Sequence, residues 1–506
     1  MEQGNDVYEN QELPIAASDV DCILLTHAHI DHSGLIPLMY VNGFRGQVYS
    51  TSATAQLCEI MLRDSAHIQM FEAEWRNRKA ARSGGKLKEF VPLYDMDAAV
   101  NVCKQFVGCE YDRVYDIAEG IKIRFTDVGH LLGSASIEVW ATEKTENGDV
   151  TEKIVFSGDI GNINKPIIKD PKHVRDADYI VMESTYGNRS HGGTPNYVED
   201  LTDIFKRTFE RGGNVVIPSF AVGRTQELLY IIRKIKEDNL VGRDFDVYMD
   251  SPLAIEATNI FIKNVESCFD DEAVELVRKG INPLSFPGLK YATTGDESKQ
   301  INFDPNPKVI ISSSGMCEAG RIRHHLKHNL WRPECTIVFV GYQAVGTTGR
   351  IIVDGAEEIK LFGEPIQIKA EIVQLKGSSG HADKDGLLCW INAFDTKPKK
   401  VFVVHGEDSV CDEFTECLKE EYGYDAMAPY TGGSYDLIAD RVISEGVKER
   451  KTRRTTSTQR GKTVFDRLVA AGKRLMTVIT HNEGGTNKDL AKFTDQINAL
   501  CDKWDR

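Results

Sequence analysis

At 506 residues the chain is too long for one ordinary core, so two or more domains are expected. A 41% hydrophobic and 27% charged composition is that of a globular protein, and the net charge of −15 disfavours bulk non-specific nucleic-acid binding without excluding a local basic groove or a metal site that receives phosphate. No run of about 18 apolar residues occurs, so no membrane span is expected.

The first residues, MEQGNDVYENQELP, are polar and acidic, unlike a signal peptide. Eleven cysteines lie without a CxxC pair, which argues against a disulfide framework and for a reducing cytoplasm. VDCILLT (20–26) predicts a short strand, followed by a helix from near Ser33 or Gly34 to Gly43. Residues 55–105 read as mostly helical, with a charged middle expected as an exposed lobe. IKIRFTDV, ASIEVWA, IVFSGDIG (154–161) and YIVMESTYG (179–187) read as strands, the last two running into glycine-containing loops. From 190 to 375 helices and strands alternate: a helix after Pro195, NVVIPSF, TQELLYIIRKI, DFDVYMD, KVIISSS and CTIVFVG. That alternation predicts a parallel α/β sheet. IQIKAEIVQL (366–375) and VFVVHGE (401–407) read as further strands. VKERKTRRTTSTQRGK (447–462) is basic and poor in apolar residues, a linker or an arm. Two segments of helical period close the chain.

LLTHAHIDHSG (24–34) places His27, His29, Asp31 and His32 on one short turn after an apolar run. Side chains in an extended segment alternate faces, so His27, His29 and Asp31 can point one way and the following turn can bring His32 beside them. Imidazole and carboxylate suit zinc, and less selectively manganese or iron. Four ligands this close cannot all reach one tetrahedral shell, so two adjacent ions are the economical answer. His130 in DVGHLLGS, Asp159 in FSGDIGN and His405 in VVHGE each follow a strand, where α/β folds build sites. Each of these three, taken alone, reads better as a turn cap or a satisfied core residue.

HAHIDHSG resembles the signature of the metallo-β-lactamase fold. ESTYGNR (183–189), SFAVGRTQELL (219–229), SSSGMCEAGRIRHHL (312–326), GYQAVGTTGR (341–350), SSGHAD (378–383) and VVHGE (403–407) resemble the β-CASP group of RNA-processing nucleases. That group includes bacterial and archaeal relatives of the endonuclease subunit of the cleavage and polyadenylation specificity factor. The resemblance covers roughly residues 1–440. It implies an α/β fold, the metallo-β-lactamase αβ/βα sandwich, carrying an inserted α/β β-CASP domain. The expected boundaries are 1–189 and 376–446 for the two parts of the metallo-β-lactamase domain, 190–375 for the β-CASP domain, and 447–506 for a basic linker and helical tail. Only 26 residues precede His27, so the first strands of the sandwich are expected to be missing.

The resemblance also implies ligands for two zinc ions. His27, His29 and His130 would hold one, Asp31, His32 and His405 the other, and Asp159 would bridge both. A pair about 3.5–4 Å apart would supply a hydroxide for in-line attack on a phosphodiester. His381 fits a general acid, since a histidine titrates near neutrality, and Glu183 resembles the carboxylate that orients it and keeps it protonated. Taken alone, His381 reads equally as a helix cap and Glu183 as a surface ion pair. Arg224 and Arg350 sit in glycine-containing turns opening helices, where backbone N–H groups and a guanidinium can clamp phosphate. Ser184, Thr185 and Tyr186 could add hydrogen bonds to the scissile strand. Structural roles stay open for all five. His324, His325 and His328 share one segment without a local carboxylate, so a solvated or substrate-facing helix is the better reading there.

The leading expectation is a zinc-dependent ribonuclease that cuts single-stranded RNA in the cytoplasm and leaves 5′-phosphate and 3′-hydroxyl ends. The alternatives are hydrolysis of a small thioester or lactam, and a non-catalytic RNA-binding subunit. The basic segment would grip RNA or simply link. The terminal helices leave a homodimer open.

Overall fold

The computed structural model describes residues 13, 15–82, 90–146, 148–190, 192, 196–375, 379–447, 464–482 and 487–504. The basic stretch 448–462 lies outside the described residues.

Cys22–Leu24, Gln47–Thr51 and Phe106–Cys109 form a parallel three-stranded sheet. A second, seven-stranded sheet runs in the order Ala426–Met427, Lys400–Val404, Tyr179–Glu183, Gly148–Phe156, Ala135–Thr145, Ile121–Asp127 and Val114–Ala118. Its first four strands are parallel and the rest antiparallel. The two sheets pack face to face: Ile123, Phe125, Ile137 and Val139 of the large sheet share one apolar cluster with Leu24, Tyr49 and Cys109 of the small one. Helices cover both outer faces. Ser52–Arg82 and Met96–Cys103 bury Leu57, Leu62, Ala99 and Val102 over the small sheet. Lys384–Ile391 and Asp408–Glu420 bury Leu387, Trp390, Phe414 and Leu418 against Ile180, Met182, Val401 and Val403 of the large one. This is the αβ/βα sandwich.

Between the strands Tyr179–Glu183 and Lys400–Val404 the chain builds a separate six-stranded sheet, all parallel. Its order is Leu289–Tyr291, Asp246–Asp250, Lys308–Ser312, Val215–Pro218, Thr336–Val340 and Glu371–Leu375. Its central strands are apolar at nearly every position because both faces are covered. Val215, Ile217, Val309 and Ile311 face the helices Tyr197–Glu210, Arg224–Glu237 and Pro252–Lys263. Val216, Ile310, Ile337 and Phe339 face Ile322–Asn329 and Thr348–Val353. The helices on the first face belong to the same apolar cluster as Leu57 and Leu131 of the sandwich, so the insert is packed onto it rather than tethered.

Local readings differ at three places. The helix expected from residue 33 or 34 to 43 is two short helices, Ile30–Ser33 and Ile36–Val41, the second opened by Pro37, which needs no N–H partner in a first turn. IQIKAEIVQL is not one strand. Glu364–Gln367 turns back on Glu358–Leu361 through Phe362 and Gly363, both at positive φ, and only Glu371–Leu375 enters the sheet. The histidines at 324–328 are not one solvated group. His325 is fully buried, its Nε2 2.6 Å from Asp250 Oδ2, while His324 stacks on Phe362 at 4.4 Å between ring centroids. The carboxylate partner that local sequence lacked comes from the end of another strand.

Candidate metal centre

Strand Cys22–Leu24 delivers the chain to His27 and His29 in extended form, and the turn beginning at Ile30 brings Asp31 and His32 to the same point. His130 arrives from the loop after Ile121–Asp127, Asp159 from the loop after Gly148–Phe156, and His405 from the end of Lys400–Val404. All seven expected ligands therefore meet at one edge of the sandwich. Candidate ligand atoms of His27, His29, His130 and Asp159 lie within 4.8 Å of one another, as do those of Asp31, His32 and His405.

Asp159 divides the cluster. Its Oδ2 lies 3.3 Å from His27 Nε2 and 3.6 Å from His130 Nε2. Its Oδ1 lies 3.3 Å from His32 Nε2 and 3.6 Å from His405 Nδ1. His29 Nδ1 closes the first group, 3.1 Å from both His27 Nε2 and His130 Nε2. His405 Nε2 closes the second, 3.2 Å from His32 Nε2 and 3.6 Å from Asp31 Oδ2. Asp159 is 1% exposed, and among the described residues neither of its oxygens accepts a hydrogen bond. Burial alone would raise its pKa, yet the surrounding imidazoles hold it well below the usual carboxylate range.

Protonation follows from the surroundings. Burial lowers the pKa of His27, lowers that of His29 to about 3, and takes that of His130 well below its ordinary value. These three imidazoles are neutral at pH 7. His130 Nδ1 faces the carbonyl of Gly380 at 3.1 Å. A carbonyl can only accept, so the proton sits on Nδ1 and the Nε2 lone pair points into the cluster. His405 is opposed by burial but pushed up to about 9 by Asp31 and Asp159. A cation bound there would displace that proton. The imidazoles of His27, His32, His130 and His405 converge on the two Asp159 oxygens at 3.3–3.6 Å, too far for good hydrogen bonds, which is the spacing of a ligand set around a cation rather than of a closed protein network. The N and O donor set fits zinc.

His405 has φ of 51°, an uncommon backbone for a non-glycine residue. Thr185 and Ser184 hold it there. Thr185 Oγ1 lies 3.1 Å from His405 Nδ1, and the Ser184 N–H donates to the His405 carbonyl at 3.1 Å. Gly406 must be small, because a Cβ would stand 2.6 Å from Ser184 Oγ.

His381 stands beside the cluster, its ring 4.5 Å from that of His130 between centroids. Its Nδ1 is 3.2 Å from Glu183 Oε2 and 4.0 Å from Asp159 Oδ2. Burial disfavours the imidazolium, but Glu183 outweighs it and raises the pKa. Glu183 is itself buried and accepts from the Ile160 N–H, which fixes it to the Asp159 loop.

The expected substrate contacts are placed differently from one another. Ser184 is fully buried and donates its hydroxyl to the Val404 carbonyl, so it serves the His405 strand. Arg224 is mostly buried and pairs with Glu227. Arg350 is 37% exposed and pairs with Asp354. Sequence reading missed Thr26, whose Oγ1 is 3.1 Å from His27 Nδ1, together with Gly380, Lys165 and Glu227 around His130. Thr26 carried a signal in its adjacency to the HAHIDH turn, and Gly380 and Glu227 lie within the SSGHAD and SFAVGRTQELL motifs, whereas Lys165 carried none.

Residues 225–352 match the Beta-Casp domain, and residues 365–429 match the Zn-dependent metallo-hydrolase RNA specificity domain. Ribonuclease TTHA0252 of Thermus thermophilus is 34% identical over 390 residues, covering 77% of this chain and 82% of the relative. An RNase J-like protein of Methanocaldococcus jannaschii is 31% identical, with the same 77% and 82% coverage. The transcription termination factor FttA of Methanosarcina mazei is 32% identical over 81% of this chain, which spans 62% of that longer protein. The chain belongs to the β-CASP family of metallo-β-lactamase-fold RNA nucleases.

Proposed function

We propose that the chain is a zinc-dependent ribonuclease that hydrolyses phosphodiester bonds of single-stranded RNA and leaves 5′-phosphate and 3′-hydroxyl ends. The observation that carries the reading is Asp159, a buried carboxylate whose two oxygens each face a separate set of imidazoles. His27, His29 and His130 would hold one zinc ion, Asp31, His32 and His405 a second, with Asp159 shared. Two zinc ions, when bound, supply Lewis acidity toward the phosphate and a nucleophile at neutral pH.

The chain's own residues do the rest. His381 keeps Nδ1 on Glu183, which fixes its ring beside that of His130 at the metal group. With its pKa raised, the ring holds a proton near neutrality and gives it to the departing 3′-oxygen. Glu183 orients that ring. Of Ser184, Arg224 and Arg350, Arg350 has the side chain most exposed to an RNA phosphate. The six-stranded insert, taken as the β-CASP domain of residues 190–375, would form the second wall of a substrate cleft against the sandwich. A cleft admits a single strand more easily than a duplex.

The test is cleavage of a 5′-labelled single-stranded RNA by the purified chain with zinc. Cutting should persist when the 2′-hydroxyl at the cleaved linkage is methylated, and the products should carry 5′-phosphates. Loss of cutting with retained binding would reject this end chemistry. A second reading, a part in transcription termination, is favoured by similarity to the FttA proteins. It is compatible with RNA cleavage.

A further inference from the structure

The loop that follows Asp159 runs along the seam with the insert. The Ile167 carbonyl accepts from the Asp270 N–H at 2.7 Å, and Ile168 bridges to Phe269. Lys165, in the same loop, reaches across. Its Nζ lies 2.9 Å from Glu227 Oε1 and donates to the His130 carbonyl at 3.3 Å. Glu227 sits in the first turn of the insert helix Arg224–Glu237. Its other oxygen pairs with Arg224 of the same helix. Each oxygen of one buried carboxylate thus serves a different lobe, with the Lys165 and Glu227 side chains only 12% and 9% exposed.

The contact is local to His130 in two further ways. Gly223, which begins that helix at φ 84°, packs on Leu131, so that a Cβ there would stand 3.1 Å from Leu131 Cδ1. Gly380, whose carbonyl fixes the His130 ring, lies under the same ammonium, and a Cβ on it would stand 3.9 Å from Lys165 Nζ. His130 is therefore held by its ring to the His381 segment and by its backbone to an ion pair with the insert.

We propose that Lys165 and Glu227 are positioning residues that make the seating of the insert and the placement of His130 a single event, so that the metal group containing His130 is complete only when the insert is docked. The inference rests on His130 being a metal ligand. It predicts that one of two metal positions, and not both, senses the insert. A seam that merely glued two lobes together would affect both positions alike, through overall stability.

The experiment is cobalt(II) titration of the full chain after removal of metal by chelation, followed by visible absorption, with thermal melting alongside. The variants are Lys165→Met, Lys165→Arg, Glu227→Gln and the Lys165→Met/Glu227→Gln pair. Glu227→Gln preserves shape and keeps the test open if Lys165→Met fails to fold. Expected are two cobalt ions in the parent and, in Lys165→Met and Glu227→Gln, one of them weakened about tenfold or more with a changed absorption band. Lys165→Arg should recover the band, and the paired variant should be no weaker than the worse single one. The proposal is overturned if both single variants bind cobalt as the parent does, or if both positions weaken together with the melting temperature. A parent that takes up no cobalt would instead remove the metal reading itself, and this proposal with it.

Discussion

Glu183 Oε2 lies 3.2 Å from His381 Nδ1, and the opposite oxygen of the same carboxylate accepts from the Ile160 N–H next to Asp159. One buried acid therefore orients the candidate proton donor and braces the loop of Asp159, the proposed shared ligand. Glu183→Gln keeps an oxygen for the Ile160 N–H but removes the charge that favours the imidazolium. Turnover should fall by about 10²–10⁴-fold with KM little changed, since the lost interaction acts in proton transfer rather than in binding. Steady-state kinetics on a single-stranded RNA would check this, and an unchanged kcat would remove His381 from the proton-donor role.

Gly161 faces the metal loops at a distance no side chain tolerates. A Cβ there would stand 2.0 Å from the Gly129 carbonyl oxygen and 2.6 Å from the His130 nitrogen. Gly161→Ala should push the Asp159 loop off the His130 loop. Bound zinc per chain should drop below the parent value in a protein that remains folded by circular dichroism. Full zinc occupancy with parental activity would show that the two loops can shift without cost.

Asp127, which opens the His130 loop, gives a pH dependence of stability. It is 5% exposed, and burial raises its pKa from 3.8 to about 6, against the opposing pull of the Gly129 N–H. The folded chain holds this proton more tightly than the unfolded one, so the contribution is fully present below about pH 4 and is lost as pH rises through about 6. Asp127→Asn keeps the hydrogen-bond acceptor without the titration. Between pH 4 and 7 the parent should lose about 2–3 kcal/mol relative to the variant, from the shift at about 1.4 kcal/mol per pKa unit. Urea denaturation across that range would measure it, and parallel stability curves would contradict it.

Asp250 ties three elements of the insert. Its carboxylate takes Arg321 Nη1 at 2.7 Å, His325 Nε2 at 2.6 Å and the Ser298 hydroxyl at 2.5 Å, all around a fully buried position. Asp250→Ala should destabilise the protein by about 3–5 kcal/mol, because it strands a cation and a buried imidazole. Zinc content per folded molecule should stay unchanged. Thermal melting together with metal analysis would test both halves.

These examples show which parts of the molecule were legible in the sequence. Strand ends carrying His130, Asp159 and His405, and the dense turn at 27–32, could be read because ligand chemistry is rare at such density and sheets gather strand ends at one edge. The alternation of strands and helices from 215 to 375 was legible because strands covered on both faces are uniformly apolar. Pairings between distant residues were not. Lys165 with Glu227, and Asp250 with His325, join ordinary charged residues separated by long stretches of chain, and no local pattern marks either. Ser184 shows the converse. Its place in a motif suggested substrate, but its hydroxyl is used on the Val404 carbonyl. Helix breaks such as the one before Pro37, and the turn at Phe362 and Gly363, depend on single residues that periodicity averages away.

The most direct measurement is zinc bound per chain at equilibrium, by dialysis and elemental analysis, for the parent and for Asp159→Ala, with RNA cleavage assayed on the same samples. Two zinc ions in the parent, fewer than two in Asp159→Ala, and cleavage by the parent alone are predicted. Equal zinc content in the two proteins, or cleavage that survives the loss of Asp159, would contradict a metal centre organised around that carboxylate.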